Sequence, residues 1–360
     1  MYLKKMLKKI KIQKREISEA RPPLVIAEIS ANHNNSLKNT LNMLDSASKI
    51  GVEAVKIQTF SIEEMTLDYN KREFLIKDQF KNKKWNKRSL FNLYSEAQLP
   101  YAWHEKILKK ANSLGLICFS SVFDVKSLEF LEKLKMPAYK IASLESLHFP
   151  LIEQVCKTKK PIIISTGTLD LKEIDRLIKF LNKKNCKKFV ILHCVTEYPA
   201  NYKNINLNTI EYLRNKYNCI VGFSDHTQGI GAAVASVPFG ASIIEKHFKN
   251  NPKSKSLDNE FSLDPENMKI LIKEVDNAWK SIGKNKIKLS KDEIAYKKYR
   301  RSIYVTKTIQ KGEKFNHNNI KIIRPGFGLT PELYYKVLNK VSKKNLRRGD
   351  PLKKKFINFK

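Results

Sequence analysis

The sequence predicts an α/β protein, a (β/α)8 barrel followed by a small β-rich domain. Eight short, almost continuously apolar segments lie between residues 23 and 283, and an amphipathic helical segment follows each of them. Apolar strands that alternate with helices are typical of a parallel sheet covered by helices. Eight such units in about 260 residues match a barrel in number and length. From residue 300 onwards, short alternating strands separated by glycine and proline turns predict a separate domain.

The predicted strands occupy residues 23–30, 52–58, 116–121, 138–143, 161–166, 189–194, 220–224 and 242–247. The helices that follow them are predicted over residues 36–50, 101–114, 126–134, 151–157, 170–183, 207–216, 229–239 and 264–282. Gly51 and Gly115 follow two of these helices, as expected for residues that close a helix in the left-handed conformation. An open, doubly wound sheet is the alternative, but no G-x-G-x-x-G turn follows the first strand.

Four segments organise the chain: a basic N-terminal extension (residues 1–22), the barrel (23–283), a charged linker (284–299) and the small domain (300–360). We expect the extension to be a lead-in segment or a helical decoration. A weak contact with a membrane surface or a polyanion is the alternative for this segment.

One connection, residues 60–98, is too long for a simple link between a strand and a helix. It carries the aromatic residues Tyr69, Phe74, Phe80, Trp85, Phe91 and Tyr94. Long loops at a barrel rim are usually functional or form a lid. We therefore expect these aromatic side chains to pack against the barrel or against a partner subunit.

The net charge of +34 suggests a polyanionic partner at first sight. Only 11 of the 69 basic residues are Arg, which supplies most base and phosphate recognition, so we interpret the charge as solvated surface and expect no specific nucleic-acid partner. The absence of an apolar run of about 18 residues predicts no membrane span. The five Cys form no C-x-x-C pair and the first 17 residues lack a signal-peptide core, so we expect a cytoplasmic protein.

Candidate functional residues gather at the carboxyl ends of the strands, where barrels place their sites. Lys56 and Lys140 lie inside apolar strands, where an unpaired lysine is costly to bury. With neighbouring hydroxyl groups they predict a site for a phosphate or a carboxylate, and a Schiff-base nucleophile is the alternative. Other polar residues at or just after these strand ends are Glu28, Gln58, Ser121, Ser143, Glu145, Ser165, Thr196, Tyr198 and Ser224.

Two histidines stand at the ends of neighbouring strands. His226 follows the seventh strand and His247 ends the eighth, and a carboxylate lies close to each along the chain, Asp225 and Glu245 respectively. Two imidazoles with open positions are typical of a divalent metal site, so we predict metal binding by this pair. The remaining histidines of the barrel segment are interpreted as structural or substrate-contacting groups: His33, His104, His148 and His193.

Seven motifs, in order along the chain, resemble the sialic acid synthase family. They are EISANHN (28–34), VKIQTF (55–60), YKIAS (139–143), ISTGT (164–168), GFSDHT (222–227), EKHF (245–248) and RPGFGL (324–329). The resemblance extends over residues 24–357. It implies a TIM barrel with a C-terminal antifreeze-like (SAF) domain, in agreement with the patterns above. It also implies a domain-swapped homodimer, in which the small domain of one subunit caps the barrel of the other.

The resemblance implies a reaction that condenses phosphoenolpyruvate with an N-acylated amino sugar and releases phosphate. Phosphoenolpyruvate would be held by Lys56, Ser121, Lys140, Ser143 and Ser224. The sugar would be contacted by Glu28, Glu145, Tyr198 and Asp258, with Arg324 reaching in from the other subunit's small domain. His226 and His247 would bind a divalent ion, Mn²⁺ with Mg²⁺ or Co²⁺ as alternatives. Either Glu28 or Glu145 would handle the proton.

Within the family, RPGFGL, EISANHN, the Trp103-His104 pair and DNEFSLDP (258–265) resemble most the branch that makes pseudaminic acid from 2,4-diacetamido-2,4,6-trideoxy-altrose. Two positions depart from the wider family, Ser121-Val122 in place of Thr-Pro and Thr196 in place of Asn. A synthase of N,N'-diacetyllegionaminic acid or of N-acetylneuraminic acid is the alternative within the family. A carbohydrate-binding protein with an inactive barrel is the alternative from another class.

Overall fold

Eight parallel strands close into a barrel in the computed structural model, which describes residues 8–76, 84–253, 255–283 and 286–359. The chain divides into two units, Met1–Gly283 and Lys284–Lys360. A hairpin of β1 (Ile10–Ile12) and β2 (Arg15–Ile17) precedes the barrel. The barrel strands are β3 (Leu24–Glu28), β4 (Ala54–Thr59), β5 (Ile117–Val122), β6 (Tyr139–Ile141), β7 (Ile162–Ser165), β8 (Phe189–Cys194), β9 (Ile220–Asp225) and β10 (Ile243–His247). Each pairs with the next along the chain, and β10 pairs with β3 to close the barrel, which confirms the predicted fold class.

Helices surround the barrel, and side-chain caps start many of them. Their bounds are α1 (Leu37–Lys49), α2 (Ile62–Met65), α3 (Leu90–Ala97), α4 (His104–Ser113), α5 (Val125–Lys133), α6 (Phe149–Lys157), α7 (Leu171–Lys183), α8 (Tyr202–Ile205), α9 (Asn208–Tyr217), α10 (Gly231–Ala235) and α11 (Pro265–Ser281). The Asp170 side chain accepts from the Glu173 amide at the start of α7, and the Glu173 side chain accepts from the Asp170 amide, which forms a capping box. None of the helices in the described part of the chain is long and apolar enough to cross a membrane.

The amino end of the barrel interior is apolar. Its inward residues form one buried cluster with the hairpin: Ile10, Ile12, Ile17, Leu24, Ile26, Ala54, Ile117, Phe119, Ala138, Ile163, Val190, Leu192, Ile220 and Ile243. The outward residues of the same strands pack with the helices in a second, larger cluster. Since strand side chains alternate between two faces, seven of the eight strands contribute to both clusters, and β6 contributes to the outer one while Ala138, just before it, joins the inner one.

The N-terminal extension does not form the predicted helical decoration where the structure describes it. Residues 10–17 form the hairpin instead, and Ile12 and Ile17 are almost completely buried. Ile10 and Ile12 share one face of a strand because side chains alternate with a period of two, while the lysines between and around them stay in solvent. The first seven residues of the predicted extension lie outside the described residues.

The long connection packs against its own barrel. Ile76 and Leu93 of this connection form a small apolar cluster with Ala31 and Leu257, and the Trp85 ring lies 5.0 Å from that of Tyr198. The predicted aromatic residue Phe80 lies outside the described residues. The part that the structure describes therefore places the connection above the carboxyl ends of the strands.

The second unit is a small β-rich domain, as the turn pattern predicts. It begins with α12 (Lys291–Tyr296) and contains β11 (Ser302–Val305), β12 (Ile320–Ile323), α13 (Tyr334–Val337), β13 (Val341–Ser342) and β14 (Ile357–Asn358). Strands β11 and β12 pair antiparallel, as do β13 and β14. Its own core contains Ile303, Val305, Ile309, Phe315, Ile320, Val337, Leu346, Leu352 and Ile357.

Candidate active site

Charged side chains fill the carboxyl end of the barrel interior. Side chains alternate along a strand, so residues two apart share a face. Ile26 and Ala54 point inward at the amino end, and Glu28 and Lys56, two residues later on β3 and β4, therefore point inward as well. Lys140 on β6 and Glu245 on β10 complete a buried group of charges, and all four residues are at most 4% exposed. A buried charge is tolerated only when it is paired and hydrogen-bonded, so the contacts within this group decide its state.

Lys56 lies at the centre of this group. Its Nζ is 3.1 Å from Oε2 of Glu28 and 3.3 Å from Oε1 of Glu245, and it donates to Oγ of Ser121 at 3.0 Å. Gln58 donates from Nε2 to the other oxygen of Glu28 at 3.0 Å. The Glu28 carboxylate is therefore held on both sides.

Lys140 contacts the carboxylate of Glu245, which Lys56 also contacts. Its Nζ lies 3.7 Å from Oε1 of Glu245 and donates to Oγ of Ser165 at 2.6 Å. Ser224 also donates to Oε1 of Glu245, at 3.1 Å. Two ammonium groups and three hydroxyl groups thus converge within one small volume. Anion binding by these groups stays a prediction.

The protonation states of these groups follow from burial and pairing. Burial acts to raise the pKa of Glu245, but Lys140 and Lys56 outweigh it and lower that pKa to about 2. Burial acts to lower the pKa of Lys56, but Glu245 and Glu28 outweigh it and raise that pKa. Burial lowers the pKa of Lys140, which Glu245 only partly compensates. Lys56 therefore carries a firmly held positive charge, while Lys140 is the lysine whose charge depends more on an incoming anion.

The two histidines predicted to bind metal face each other beside this group. The rings of His226 and His247 lie 5.4 Å apart, and both residues are buried. Nδ1 of His226 lies 3.0 Å from the carbonyl oxygen of Val195. A carbonyl only accepts, so Nδ1 carries the proton and Nε2 presents its lone pair.

These two imidazoles fit an open metal site. Nδ1 of His247 is buried without a hydrogen-bond partner among the described residues, 3.5 Å from Oδ2 of Asp258. Within the described ranges no cluster of three or more His, Cys, Asp or Glu side chains is arranged to hold a metal ion. Two protein nitrogens would leave the remaining positions to water or substrate, as in catalytic rather than structural sites.

Aromatic side chains surround the histidine pair. The Tyr198 ring lies 4.4 Å from the His226 ring, and the Phe261 ring lies 4.7 Å from the His247 ring. The ring of Trp85, from the long connection, is tilted against the ring of Tyr198, with the two centroids 5.0 Å apart. These rings restrict how water and ligands reach the histidines.

Glu145 has a different environment from the paired carboxylates. It lies on the short 3-10 turn Ser143–Glu145 after β6, is partly buried, and its Oε2 has no hydrogen-bond partner in the described part of the chain. Burial raises its pKa to about 7, and the attraction of Lys140 lowers it only in part. A carboxyl group with this pKa exchanges a proton readily near neutral pH.

Space for a side chain is restricted where β7 leads into the next loop. Gly167 donates its amide to Oγ of Ser143 at 3.1 Å. A Cβ atom at position 167 would lie 2.2 Å from Oγ1 of Thr196 and 2.8 Å from Oγ of Ser143. Oγ1 of Thr196 is itself buried without a partner among the described residues. The loop after β7 therefore presents a polar atom to which a ligand can form a hydrogen bond.

Fourteen of the fifteen predicted site residues lie in the barrel unit. The structure brings Glu28, Lys56, Gln58, Ser121, Lys140, Ser165 and Ser224 into one network, and His226, His247, Tyr198 and Asp258 into the adjoining group. Arg324 lies in the second unit, is exposed, and has no hydrogen-bond or ion-pair partner within the residues the structure describes. Its proposed role stays a prediction.

The other four histidines of the barrel unit make hydrogen bonds to neighbouring protein atoms, and His148 accepts from the amide of Leu151 at the start of α6. Nε2 of His193 contacts the carbonyl oxygen of Ile205 on the outside of the barrel, and His33 and His104 bond to neighbouring loop or strand atoms. The residue that sequence reasoning undervalued is Glu245, named only as a neighbour of His247. Its position two residues before His247 on one strand was the available signal, because residues two apart share a face.

Comparison with known proteins agrees with the geometry. Residues 43–287 match the model of the NeuB family, and residues 300–358 match the SAF domain. The pseudaminic acid synthase of Campylobacter jejuni is 38% identical over 91% of this chain and 95% of its own length. The pseudaminic acid synthase of Helicobacter pylori is 34% identical over 92% of this chain and 97% of its own length. An N,N'-diacetyllegionaminic acid synthase of Campylobacter jejuni is 31% identical over 91% of this chain and 98% of its own length.

Solved structures share the fold. The N-acetylneuraminic acid synthetase of Leptospira borgpetersenii, in complex with citrate, superposes with a TM-score of 0.71 at 28% identity and covers 81% of this chain and 96% of its own. The spore coat polysaccharide biosynthesis protein SpsE of Bacillus subtilis gives a TM-score of 0.65 at 26% identity over 98% and 100%. Together with the family match, these similarities show that the chain belongs to the NeuB family and is an enzyme of the phosphoenolpyruvate-condensing transferase class, with a C-terminal SAF domain.

Proposed function

We propose that the protein is a pseudaminic acid synthase, which condenses phosphoenolpyruvate with 2,4-diacetamido-2,4,6-trideoxy-altrose and releases phosphate. The observation that carries this proposal is the convergence of Lys56, Lys140 and three serine hydroxyls next to two facing imidazoles. The choice of sugar rests on the relatives, because the pseudaminic acid synthases are 34–38% identical and the legionaminic acid synthase of the same Campylobacter strain is 31% identical.

The lysines would bind the two anionic ends of phosphoenolpyruvate. Both ammonium groups now share the carboxylate of Glu245, and an incoming anion would take over part of that attraction. Charge-assisted hydrogen bonds from Lys56, Lys140 and the neighbouring Ser121 and Ser165 would fix the phosphate and the carboxylate. Holding both ends orients C3 of phosphoenolpyruvate toward the sugar, which lowers the entropic part of the barrier.

The histidine pair would hold a divalent ion, as synthases of the NeuB family generally depend on one. When bound, the ion acts as a Lewis acid on the aldehyde of the open-chain sugar. His226 presents Nε2 for this purpose because Val195 fixes its tautomer. Tyr198, Phe261 and Trp85 would keep bulk water away from the reacting atoms.

Glu145 would handle the proton. C3 of phosphoenolpyruvate forms a bond to the aldehyde carbon, and Glu145 in its acid form gives a proton to the oxygen that becomes a hydroxyl group. Its carboxylate then takes one proton of the water that adds to C2. The tetrahedral intermediate loses phosphate by C–O cleavage, and the new hydroxyl group becomes the keto group as its proton passes to the departing phosphate. Burial raises the pKa of both Glu28 and Glu145, to about 7 for Glu145. Glu28 is less suited to this role because Lys56 and Gln58 hold its carboxylate, whereas Oε2 of Glu145 has no hydrogen-bond partner among the described residues.

Phosphate release tests the proposal directly. The assay supplies phosphoenolpyruvate and Mn²⁺ with either the diacetamido trideoxy sugar or N-acetylmannosamine, and Lys56→Met serves as the inactive control. Release only with the first sugar supports a pseudaminic acid synthase. Faster release with N-acetylmannosamine keeps the reaction and changes the sugar, and no release with either sugar contradicts the proposed function.

We further propose a domain-swapped homodimer in which Arg324 serves the barrel of the other subunit. Arg324 is exposed, and its guanidinium group is accessible to a ligand. Mixing His247→Ala with Arg324→Ala subunits tests this arrangement, because a swapped heterodimer contains one site with both residues intact. Recovered turnover after subunit exchange supports the swap, and a mixture no more active than its components contradicts it.

A further inference from the structure

A buried ion pair lies behind the histidines, on the outer face of the barrel wall. Side chains alternate along a strand, so Asp225 and Lys246 point away from the interior that His226 and His247 face. The two are direct neighbours in the register of β9 and β10. Nζ of Lys246 lies 2.8 Å from Oδ2 of Asp225, and both side chains are completely buried.

This ion pair is buried at a position where the neighbouring outward side chains are apolar. Phe223 and Ile244, the outward residues that precede it on β9 and β10, belong to the large apolar cluster between the barrel and the helices. Burying two charges costs several kcal/mol per ion, and replacing such pairs with apolar residues is often neutral or stabilising. Stability alone therefore does not explain the pair, whereas a requirement for fixed geometry does.

The pair holds the chain immediately after His226. Thr227 donates its amide to Oδ1 of Asp225 at 2.8 Å, and its carbonyl oxygen accepts from Nζ of Lys246. Lys246 thus ties β10, just before His247, to the carbonyl group of Thr227, the residue after His226. The imidazoles and the ion pair occupy opposite faces of the same two strand ends.

We propose that Asp225 and Lys246 are positioning residues that set the separation of the two imidazoles and thereby the affinity for the divalent ion. The inference rests on the metal site of the proposed function. The two residues touch neither substrate nor ion. They act by preventing the end of β9 from shifting relative to β10, and a displacement of well under an ångström is enough to weaken a two-histidine site.

Mn²⁺ binding to the substrate-free protein, followed by titration calorimetry, tests the role without any turnover. Lys246→Met keeps the length of the side chain and removes the link to Thr227. We expect its dissociation constant for Mn²⁺ to rise by about 10–100-fold, the usual effect of losing a group that orients a metal ligand. The dissociation constant for phosphoenolpyruvate should change less than about twofold, because Lys56 and Lys140 are untouched.

A second variant separates positioning from folding. Lys246→Met leaves Asp225 buried without its partner, which destabilises the fold. The double variant Asp225→Asn/Lys246→Met removes both charges, and we expect it to melt near the wild-type temperature while Mn²⁺ affinity stays weak. Phe223→Leu is the matched control, since it loosens the same outward face of β9 and leaves the ion pair in place.

The outcomes discriminate between two failures. Wild-type Mn²⁺ affinity in the folded double variant overturns the positioning role and leaves the proposed function intact. Weaker Mn²⁺ binding in Phe223→Leu, to the same degree as in Lys246→Met, also overturns it, because any destabilisation would then suffice. Absence of Mn²⁺ binding to the wild-type protein overturns the metal site and the positioning role together.

Discussion

The two ends of the barrel interior are built from the same eight strands and have opposite chemistry. At the amino end the inward side chains are apolar and the hairpin β1–β2 covers them, with Ile12 and Ile17 at most 1% exposed. At the carboxyl end the inward side chains are charged or polar, and several of their atoms lack a hydrogen-bond partner among the described residues. Apolar burial stabilises a fold, whereas buried charges and unpaired polar atoms oppose it. The comparison suggests that the amino end stabilises the barrel and that the carboxyl end reduces its stability in exchange for a binding site.

The largest expected effect is the loss of the metal site. His226→Ala and His247→Ala should each reduce phosphate release by at least about a thousandfold, because the Lewis acid that stabilises the developing charge is lost. Calorimetry should show no Mn²⁺ binding, and thermal melting should stay close to that of the wild-type protein. His317→Ala, at an exposed position in the second unit, is the control. Full activity in both barrel variants would refute the metal assignment.

A truncation at the opposite end should affect stability and spare catalysis. Ile12→Ala removes a completely buried side chain from the hairpin, and we expect a loss of about 3 kcal/mol in the free energy of unfolding. Turnover per folded molecule should remain within about twofold of wild type. Urea unfolding and steady-state kinetics measure the two quantities, with the exposed Lys11→Ala as control. A lower kcat with unchanged stability would contradict the assignment of stability to the amino end and of catalysis to the carboxyl end.

The pH dependence of stability provides a smaller test at the carboxyl end. The pKa of Glu145 in the folded protein is about 7, above its ordinary value of 4.5, so the folded state binds this proton more tightly than the unfolded state. The resulting stabilisation is complete below pH 4.5 and is lost as the pH rises to about 7. Relative to Glu145→Gln, the wild type should lose about 2 kcal/mol between pH 4.5 and 7.5, a figure reduced because the group is partly solvent-accessible. A difference in the free energy of unfolding between wild type and Glu145→Gln that stays constant at all pH values, as measured by urea unfolding, would contradict this.

The smallest expected effect concerns the close approach at Gly167. Gly167→Ala places a methyl group against Thr196 and Ser143, which must move apart, and we expect the KM for phosphoenolpyruvate to rise about tenfold. Gly231→Ala makes the same chemical change in α10, where a methyl group meets no neighbouring atom. Equal KM values in the two variants would show that this corner does not contact the ligand.

The sequence predicts the carboxyl end of the barrel better than the amino end. Lys56 and Lys140 are recognisable because a lysine within an apolar strand needs a partner, and the structure provides one for each. The hairpin is not recognisable, because lysines around Ile10 and Ile12 produce a pattern that also fits an amphipathic helix. The central role of Glu245 depends on which strands meet across the interior, and distances of that kind arise from strand tilt rather than from local sequence. The proposed role of Arg324 involves a second subunit, and local sequence around this residue carries no signal for the partner that it would meet.

The pairing of β3 with β10 has a consequence for biosynthesis. It joins residues 24–28 to residues 243–247, so the barrel closes only through contacts between distant parts of the chain, and such contacts slow folding. At roughly 5–20 residues per second, a ribosome needs about 10–45 s after making β3 before β10 exists. The last strand of the barrel, β10, carries Glu245, Lys246 and His247. A nascent or truncated chain that ends before β10 therefore has neither a closed barrel nor a complete site.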